Sequence, residues 1–226
     1  MNEMALRKFG VIFDCDGTLV DSLGEAMESF NYALRKVDQK LREPEEIKRH
    51  FGAAADRIFI KILRDEKLGL QAFEHYLDHQ SELALRTQMH RGVQNLLEQL
   101  REKKIPMAIV TGRHARDLDL VLKPHGIAHE FTALIADSQL PQSKPAPDGL
   151  LLAAQIMGLD PRNTVYIGDS PTDIQAAHAA GAKSIAALWD SLANTEQMKA
   201  ENPDGLAQTP SEIWNLLETL FLETPI

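Results

Sequence analysis

The sequence predicts an α/β protein: a doubly wound parallel-sheet core with an all-helical cap inserted after the first strand. Three observations predict it. Short apolar runs rich in branched residues recur, each stopping at a polar residue, a glycine or a tryptophan. Helical patterns of apolar residues separate these runs. One long stretch, from about Leu23 to Gln88, carries the helical pattern alone. Fully apolar short strands alternating with helices indicate a parallel sheet covered on both faces.

The elements follow in order. Gly10-Val11-Ile12-Phe13 ends at Asp14, and Pro106-Met107-Ala108-Ile109-Val110 ends at Thr111. The run from Phe131 to Ala136 ends at Asp137, Thr164 to Ile167 ends at Gly168-Asp169, and Lys183 to Leu188 ends at Trp189. A weaker strand is expected near Leu206-Ala207, before a closing helix from about Ser211 to Leu222. Together these runs describe a Rossmann-like core made of residues 1–20 and 89–226. Within the insert, Ala26, Met27, Phe30, Ala33, Leu34 and Val37 form one helical stripe; Ile58 and Ile62, then Phe73 and Leu77, continue the pattern. No strand is expected there, so residues 21–88 form a helical cap. The chain then crosses between the two parts near Val20-Asp21 and again near 88–92, which makes a natural hinge.

Charge and composition exclude several partners. A net charge of -9 argues against nucleic acid and anionic membrane surfaces. The single cysteine, Cys15, rules out an intrachain disulfide framework. The opening residues lack a signal-peptide apolar stretch, and no run approaches the roughly 18 apolar residues of a membrane span. A cytoplasmic protein, a monomer or weak dimer, is expected.

In open parallel sheets, ligands bind outside the carboxyl ends of the strands. Asp14 and Asp16 follow the first strand, Thr111 and Gly112 the second, and Asp169 and Asp173 the fourth. Lys144 comes from the loop after the third. Distant segments thus deliver carboxylates, a hydroxyl and an ammonium to one edge. Clustered carboxylates repel, by about 4 kcal/mol for a pair 4 Å apart at an effective dielectric of 20. A divalent cation relieves this, and an all-oxygen site prefers Mg2+. Such a metal draws in a phosphate, so a small phosphorylated metabolite is the expected partner. Asp14 is then the candidate nucleophile, forming an aspartyl-phosphate, and Asp16 the general acid and base. Thr111, the Gly112 amide and Lys144 would stabilise the transferring oxygens.

The run Phe13-Asp14-Cys15-Asp16-Gly17-Thr18-Leu19-Val20-Asp21-Ser22 resembles the first motif of the haloacid dehalogenase superfamily. Thr111-Gly112, Lys144-Pro145-Ala146-Pro147 and Gly168-Asp169-Ser170-Pro171-Thr172-Asp173 resemble its second, third and fourth motifs, in the right order. The resemblance implies a phosphatase with Mg2+ held by the Asp14 and Asp169 carboxylates and the Asp16 backbone carbonyl, with Asp173 supporting the metal. Within the superfamily, the cap and the Leu-Val-Asp-Ser continuation look most like phosphoglycolate phosphatases and related sugar-phosphate enzymes. Phosphonatases and dehalogenases lack an equivalent of Asp16. Mutases of the superfamily carry a cap His where this chain has Ala26 and an Arg where it has Ala55. The Leu188-Trp189-Asp190-Ser191 loop departs from the Trp-Gly common in phosphoglycolate phosphatases, which leaves the substrate open. A protein that merely senses a phosphorylated ligand is the alternative from another class.

Other residues have plainer readings. Cys15 alternates away from Asp14 and Asp16 and belongs in the core. His75 and His79 have zinc-like spacing but lack the companion Glu, so a surface or packing role is expected. Arg113 is expected to be a surface residue at a helix start. The small-residue loop Gly52-Ala53-Ala54-Ala55-Asp56 leads into Arg57, the cap residue expected to read a substrate carboxylate or hydroxyl.

Overall fold

A computed structural model describes residues 8–221. In chain order the elements are β1 (Gly10–Phe13), β2 (Val20–Asp21), α1 (Leu23–Asp38), α2 (Pro44–Lys48), α3 (Ala55–Leu63), α4 (Glu66–Leu83) and β3 (Gln88–Met89). They continue as α5 (Val93–Glu102), β4 (Met107–Thr111), α6 (Ala115–Leu122), β5 (Ala133–Ala136), α7 (Asp148–Met157) and β6 (Thr164–Gly168). The chain closes with α8 (Pro171–Ala180), β7 (Lys183–Ala187), α9 (Thr195–Ala200), β8 (Gly205–Ala207) and α10 (Ile213–Phe221). Leu222, the expected last residue of the closing helix, lies outside the described residues.

Six strands form one sheet in the order β5-β4-β1-β6-β7-β8, and every pairing is parallel. From β1 the chain first builds outward on one side, through β4 to β5, and then returns to β6 on the other. The strand order therefore reverses beside β1, which is where an open sheet leaves a crevice for a ligand. Alternation within β1 sorts its residues between two apolar layers. Val11, Phe13 and the following Cys15 pack with Leu96, Leu97 and Leu100 of α5 and Ile213 and Leu217 of α10. Ile12 packs on the opposite face with Leu150 and Ala153 of α7 and Ala176 and Ala177 of α8. The polar residues that continue β1 then stand at its open end.

Helices α1 to α4 have their own apolar centre, with Phe30, Leu34, Ile47, Ile58, Phe59, Phe73 and Tyr76 all buried. The Phe30 ring lies 4.9 Å, centroid to centroid, from both Phe59 and Tyr76. Leu120 of α6 packs against this cluster, joining it to the core. One element was not expected. β2 and β3 pair antiparallel, Val20 with Met89 and Asp21 with Gln88, as a two-residue ribbon at the two crossings. Its residues are too few to show a periodic pattern, so only the fold reveals it. Among the described residues, no helix is long and apolar enough to cross a membrane.

Candidate active site

The loop after β1 is folded tightly on itself. The amides of Leu19 and Val20 donate to the Cys15 carbonyl at 2.8 and 3.0 Å, and Gly17 N donates to Val20 O at 2.9 Å. Gly17 has φ +66°, in the left-handed region that favours glycine, and an added Cβ would lie 2.2 Å from an Asp169 oxygen. The Asp-Gly turn therefore serves both backbone shape and the close approach of Asp169. From the far side, Trp189 Nε1 donates to the Thr18 carbonyl at 3.0 Å, and Thr18 Oγ1 donates to Asp169 at 3.3 Å. The Trp189 loop thus braces the segment that carries Asp14 and Asp16.

Asp14, Asp169 and Asp173 each offer a carboxylate oxygen, and these oxygens lie within 4.8 Å of one another. Asp14 and Asp173 are buried, while Asp169 is half-buried. Lys144 enters between them, with its Nζ 3.1 Å from Asp14 and 2.6 Å from Asp173. That Nζ also donates to Tyr166 Oη at 3.2 Å, and Tyr166 donates onward to Val110 O at 2.7 Å. Asp173 has a second task. Its Oδ2 accepts from Ser170 N at 3.0 Å and Ser170 Oγ at 2.7 Å, closing the N-terminus of α8.

Burial and like charge push Asp14 and Asp169 toward their neutral forms. Burial raises the Asp14 carboxyl to about 7; Lys144 pulls it down, while Asp173 and Asp16 push it up again. Burial, then Asp173 and Asp14, raise Asp169 well above the usual carboxylate range. Lys144 is buried, a factor that lowers its affinity for a proton, yet Asp14 and Asp173 hold it firmly protonated. One ammonium thus faces three carboxylates. The excess negative charge and the all-oxygen donor set fit a hard divalent cation.

The other expected residues fall as follows. Asp16 stands beside the cluster and lines the cavity, its carboxylate held by Ser22 and Arg113. Thr111 is buried at the end of β4, and its hydroxyl accepts from Arg113 N at 3.2 Å. Gly112 lines the site, and the cap loop seats directly on it: a Cβ there would come within 3.0–3.1 Å of Gly52. A cavity of about 710 Å³ opens between cap and core, over Asp14, Asp16, Gly112, Lys144 and Asp169. Its cap wall includes Leu23, Met27, Phe30, Phe51 and Ile58.

Two sequence expectations change. Arg113 is not a surface residue; it is 5% exposed. Its guanidinium donates to Asp16 at 2.5 to 3.0 Å and pairs with Asp117 at 2.6 Å. Burial disfavours its charge, but Asp117 and Asp16 more than restore it. An Arg and an Asp four apart at a helix start look like a solvated ion pair, but here both are buried and Tyr76 of the cap donates to Asp117. Arg57, in turn, is not among the residues lining the cavity. It donates to Asp137 at 3.2 Å, Ser143 Oγ at 3.2 Å and Leu140 O at 2.9 Å, and the Ala54 amide joins it on Asp137 at 2.8 Å. In this closed arrangement it clasps cap to core, and the substrate-reading role finds no support in its position.

For Cys15 and His79 the plainer readings match the contacts. Cys15 is fully buried, and burial pushes its thiol well above the usual range. His79 shares a 2.9 Å hydrogen bond with Ser29 and stacks on Tyr32 at 4.2 Å, a packing role.

The haloacid dehalogenase-like hydrolase family model matches residues 11–187, and the chain belongs to that family. It is 30% identical over 183 residues to a phosphoglycolate phosphatase of Pseudomonas putida, covering 77% of this chain and 67% of that one. A phosphoglycolate phosphatase of Chromobacterium violaceum is likewise 30% identical, over 187 residues, covering 78% of this chain and 83% of the other. A hydrolase structure from Pseudomonas syringae superposes with a TM-score of 0.84 at 21% identity, over 95% of this chain and all of that one, and shares the fold.

Proposed function

We propose that the chain is a Mg2+-dependent phosphatase that hydrolyses a small phosphorylated metabolite through an aspartyl-phosphate on Asp14. The observation that carries this reading is the convergence of Asp14, Asp169 and Asp173 around Lys144 at the open end of β1. Family membership and the similarity to phosphoglycolate phosphatases support it.

The Asp14 and Asp169 carboxylates and the Asp16 carbonyl would hold the ion, with Asp173 beside them. When bound, Mg2+ would neutralise the phosphate and the carboxylates that face it. An Asp14 oxygen attacks phosphorus as the ester oxygen departs, and Asp16 gives that oxygen its proton. Asp16 then takes a proton from a water that attacks the same phosphorus, which frees phosphate and restores Asp14. Lys144, held in place by Asp173 and Tyr166, offers positive charge to the transferring oxygens, as does the Gly112 amide. Thr111 Oγ1, at the same strand end, is the hydroxyl donor for a phosphate oxygen. The cap seated over Gly112 would limit water during the first step and must open for product to leave.

Phosphoglycolate and sugar phosphates are the substrate candidates, and the cytoplasm the proposed location. Turnover of p-nitrophenyl phosphate with Mg2+, compared in wild type and Asp14→Asn, tests the reading. The expected result is activity in the first and none in the second. A protein that binds phosphorylated ligands without turnover would be a sensor instead.

A further inference from the structure

Asp16 is unusually restrained for a group that must pass a proton in both directions. The Arg113 fork grips both its oxygens, with Nε at 3.0 and 2.9 Å and a terminal nitrogen at 2.5 Å. Ser22, at the base of α1, donates to the same carboxylate. The Asp16 side chain keeps 20% of its surface exposed and lines the cavity, whereas the Arg113 side chain is only 4% exposed. A planar fork fixes the carboxylate's orientation as well as its position, which a lysine ammonium cannot do.

Arg113 is itself held from the cap. Its other terminal nitrogen lies 2.6 Å from Asp117, on α6, whose side chain is 1% exposed. Asp117 Oδ2 accepts from Tyr76 Oη at 3.0 Å, and Tyr76 Oη accepts from Gln80 Nε2 at 3.0 Å. Tyr76 and Gln80 belong to α4, and both are buried. The polar chain therefore runs from the cap helix, through two buried charges, to the catalytic loop. In a buried network the members support one another, and loss of one is felt by its neighbours.

We propose that Arg113 is a positioning residue for Asp16, and that the cap helix reaches it through Tyr76 and Asp117. Docking of the cap and alignment of the acid-base carboxylate are then a single event. An open cap removes Tyr76 from Asp117, and the guanidinium loses one of the anchors that orient it. This couples proton transfer to closure, so that Asp16 is aligned when the site is covered. The inference rests on the phosphatase reading, because it assigns Asp16 the proton transfers of that reaction.

The test compares an alkyl phosphate, whose leaving oxygen needs a proton, with p-nitrophenyl phosphate, whose leaving group scarcely does. Arg113→Lys keeps the charge and spares Asp117 an unpaired burial, so the variant is expected to fold. Its kcat/KM on the alkyl ester, which reports formation of the aspartyl-phosphate, should fall by about 10- to 100-fold. On p-nitrophenyl phosphate kcat/KM should change by less than about threefold, while kcat for both esters falls with the water step that Asp16 also serves. Arg113→Ala should lose more than Arg113→Lys on the alkyl ester. Tyr76→Phe, which removes only the hydroxyl, should lower kcat/KM in the same selective way but less, and the Tyr76→Phe/Arg113→Lys pair should lose less than the product of the two singles. An active wild type whose variants lose kcat/KM for both esters equally, or whose paired losses multiply independently, would overturn this inference alone. A wild type inert toward both esters would overturn the phosphatase reading and this inference with it.

Discussion

Without a bound cation, this protein should be weakened by its buried Asp14 carboxyl as pH rises. Asp14 is 7% exposed, and its carboxyl is raised from 3.8 to about 7, chiefly by burial. The unfolded chain releases that proton near 3.8, whereas the folded chain keeps it to about 7. Between those values the folded state binds more protons, so stability falls as pH rises, and above about 7 the loss is complete. A shift of that size is worth roughly 4 kcal/mol, at about 1.4 kcal/mol per unit. The perturbation is Asp14→Asn, which removes the titration and one negative charge while leaving Lys144 paired with Asp173. The assay is urea unfolding from pH 5 to pH 8 in chelator, repeated with Mg2+. Chelated wild type should lose most of this increment across the range, and Asp14→Asn should show a much flatter profile. Mg2+ should stabilise wild type most at the high-pH end. A chelated wild type as stable at pH 8 as at pH 5, with no gain from Mg2+, would refute the charge argument for a metal.

Further outcomes follow from particular contacts. Arg57→Ala removes donors from Asp137, Ser143 and Leu140 and should cost about 1.5 kcal/mol of closed state, or roughly tenfold in kcat/KM. Because the clasp lies away from the cavity wall, the loss should be equal for p-nitrophenyl phosphate and phosphoglycolate; a loss confined to phosphoglycolate would show that Arg57 reads substrate. Gly112→Ala places a Cβ 3.0–3.1 Å from the Gly52 backbone and should lower kcat/KM about tenfold through imperfect seating of the cap. Its thermal midpoint should stay close to wild type, and an unchanged rate would mean that the cap loop yields freely. Asp169→Asn should raise the Mg2+ concentration for half-maximal activity by at least about tenfold, measured by metal titration after chelation. Ca2+, larger and looser in coordination, should support far less activity.

Much of this architecture is legible in the chain itself because strand ends are legible. Runs such as Val11-Ile12-Phe13 and Val165-Tyr166-Ile167 are buried on both faces, so they stay apolar until the sheet edge, where Asp14 and Asp169 begin. Periodicity alone thus places both carboxylates at the same edge, and the Lys144 loop follows from the order of the strands. Contacts between cap and core leave no such trace. Tyr76 reads as one more apolar position on an amphipathic helix, and its hydroxyl acquires a partner only when α4 lies across α6. Arg113 and Asp117 carry the spacing of an exposed ion pair; burial converts them into a rigid support for Asp16. Arg57 beside a small-residue loop looks ligand-directed until Asp137, far along the chain, is seen beneath it. Local pattern reports which residues must be buried or must turn, whereas the pairing of polar groups across a domain boundary depends on where whole helices dock.

The central claim is that Asp14 carries the phosphoryl group. Single-turnover reaction with p-nitrophenyl phosphate and Mg2+, quenched in acid and digested for mass spectrometry, tests it most directly. Asp16→Asn should slow the second step, so the intermediate should accumulate there beyond its wild-type level. The account predicts a peptide containing Asp14 heavier by one phosphoryl group, abundant in Asp16→Asn and absent from Asp14→Asn. Turnover with no labelled peptide in either active form, or a label on any other residue, would contradict it.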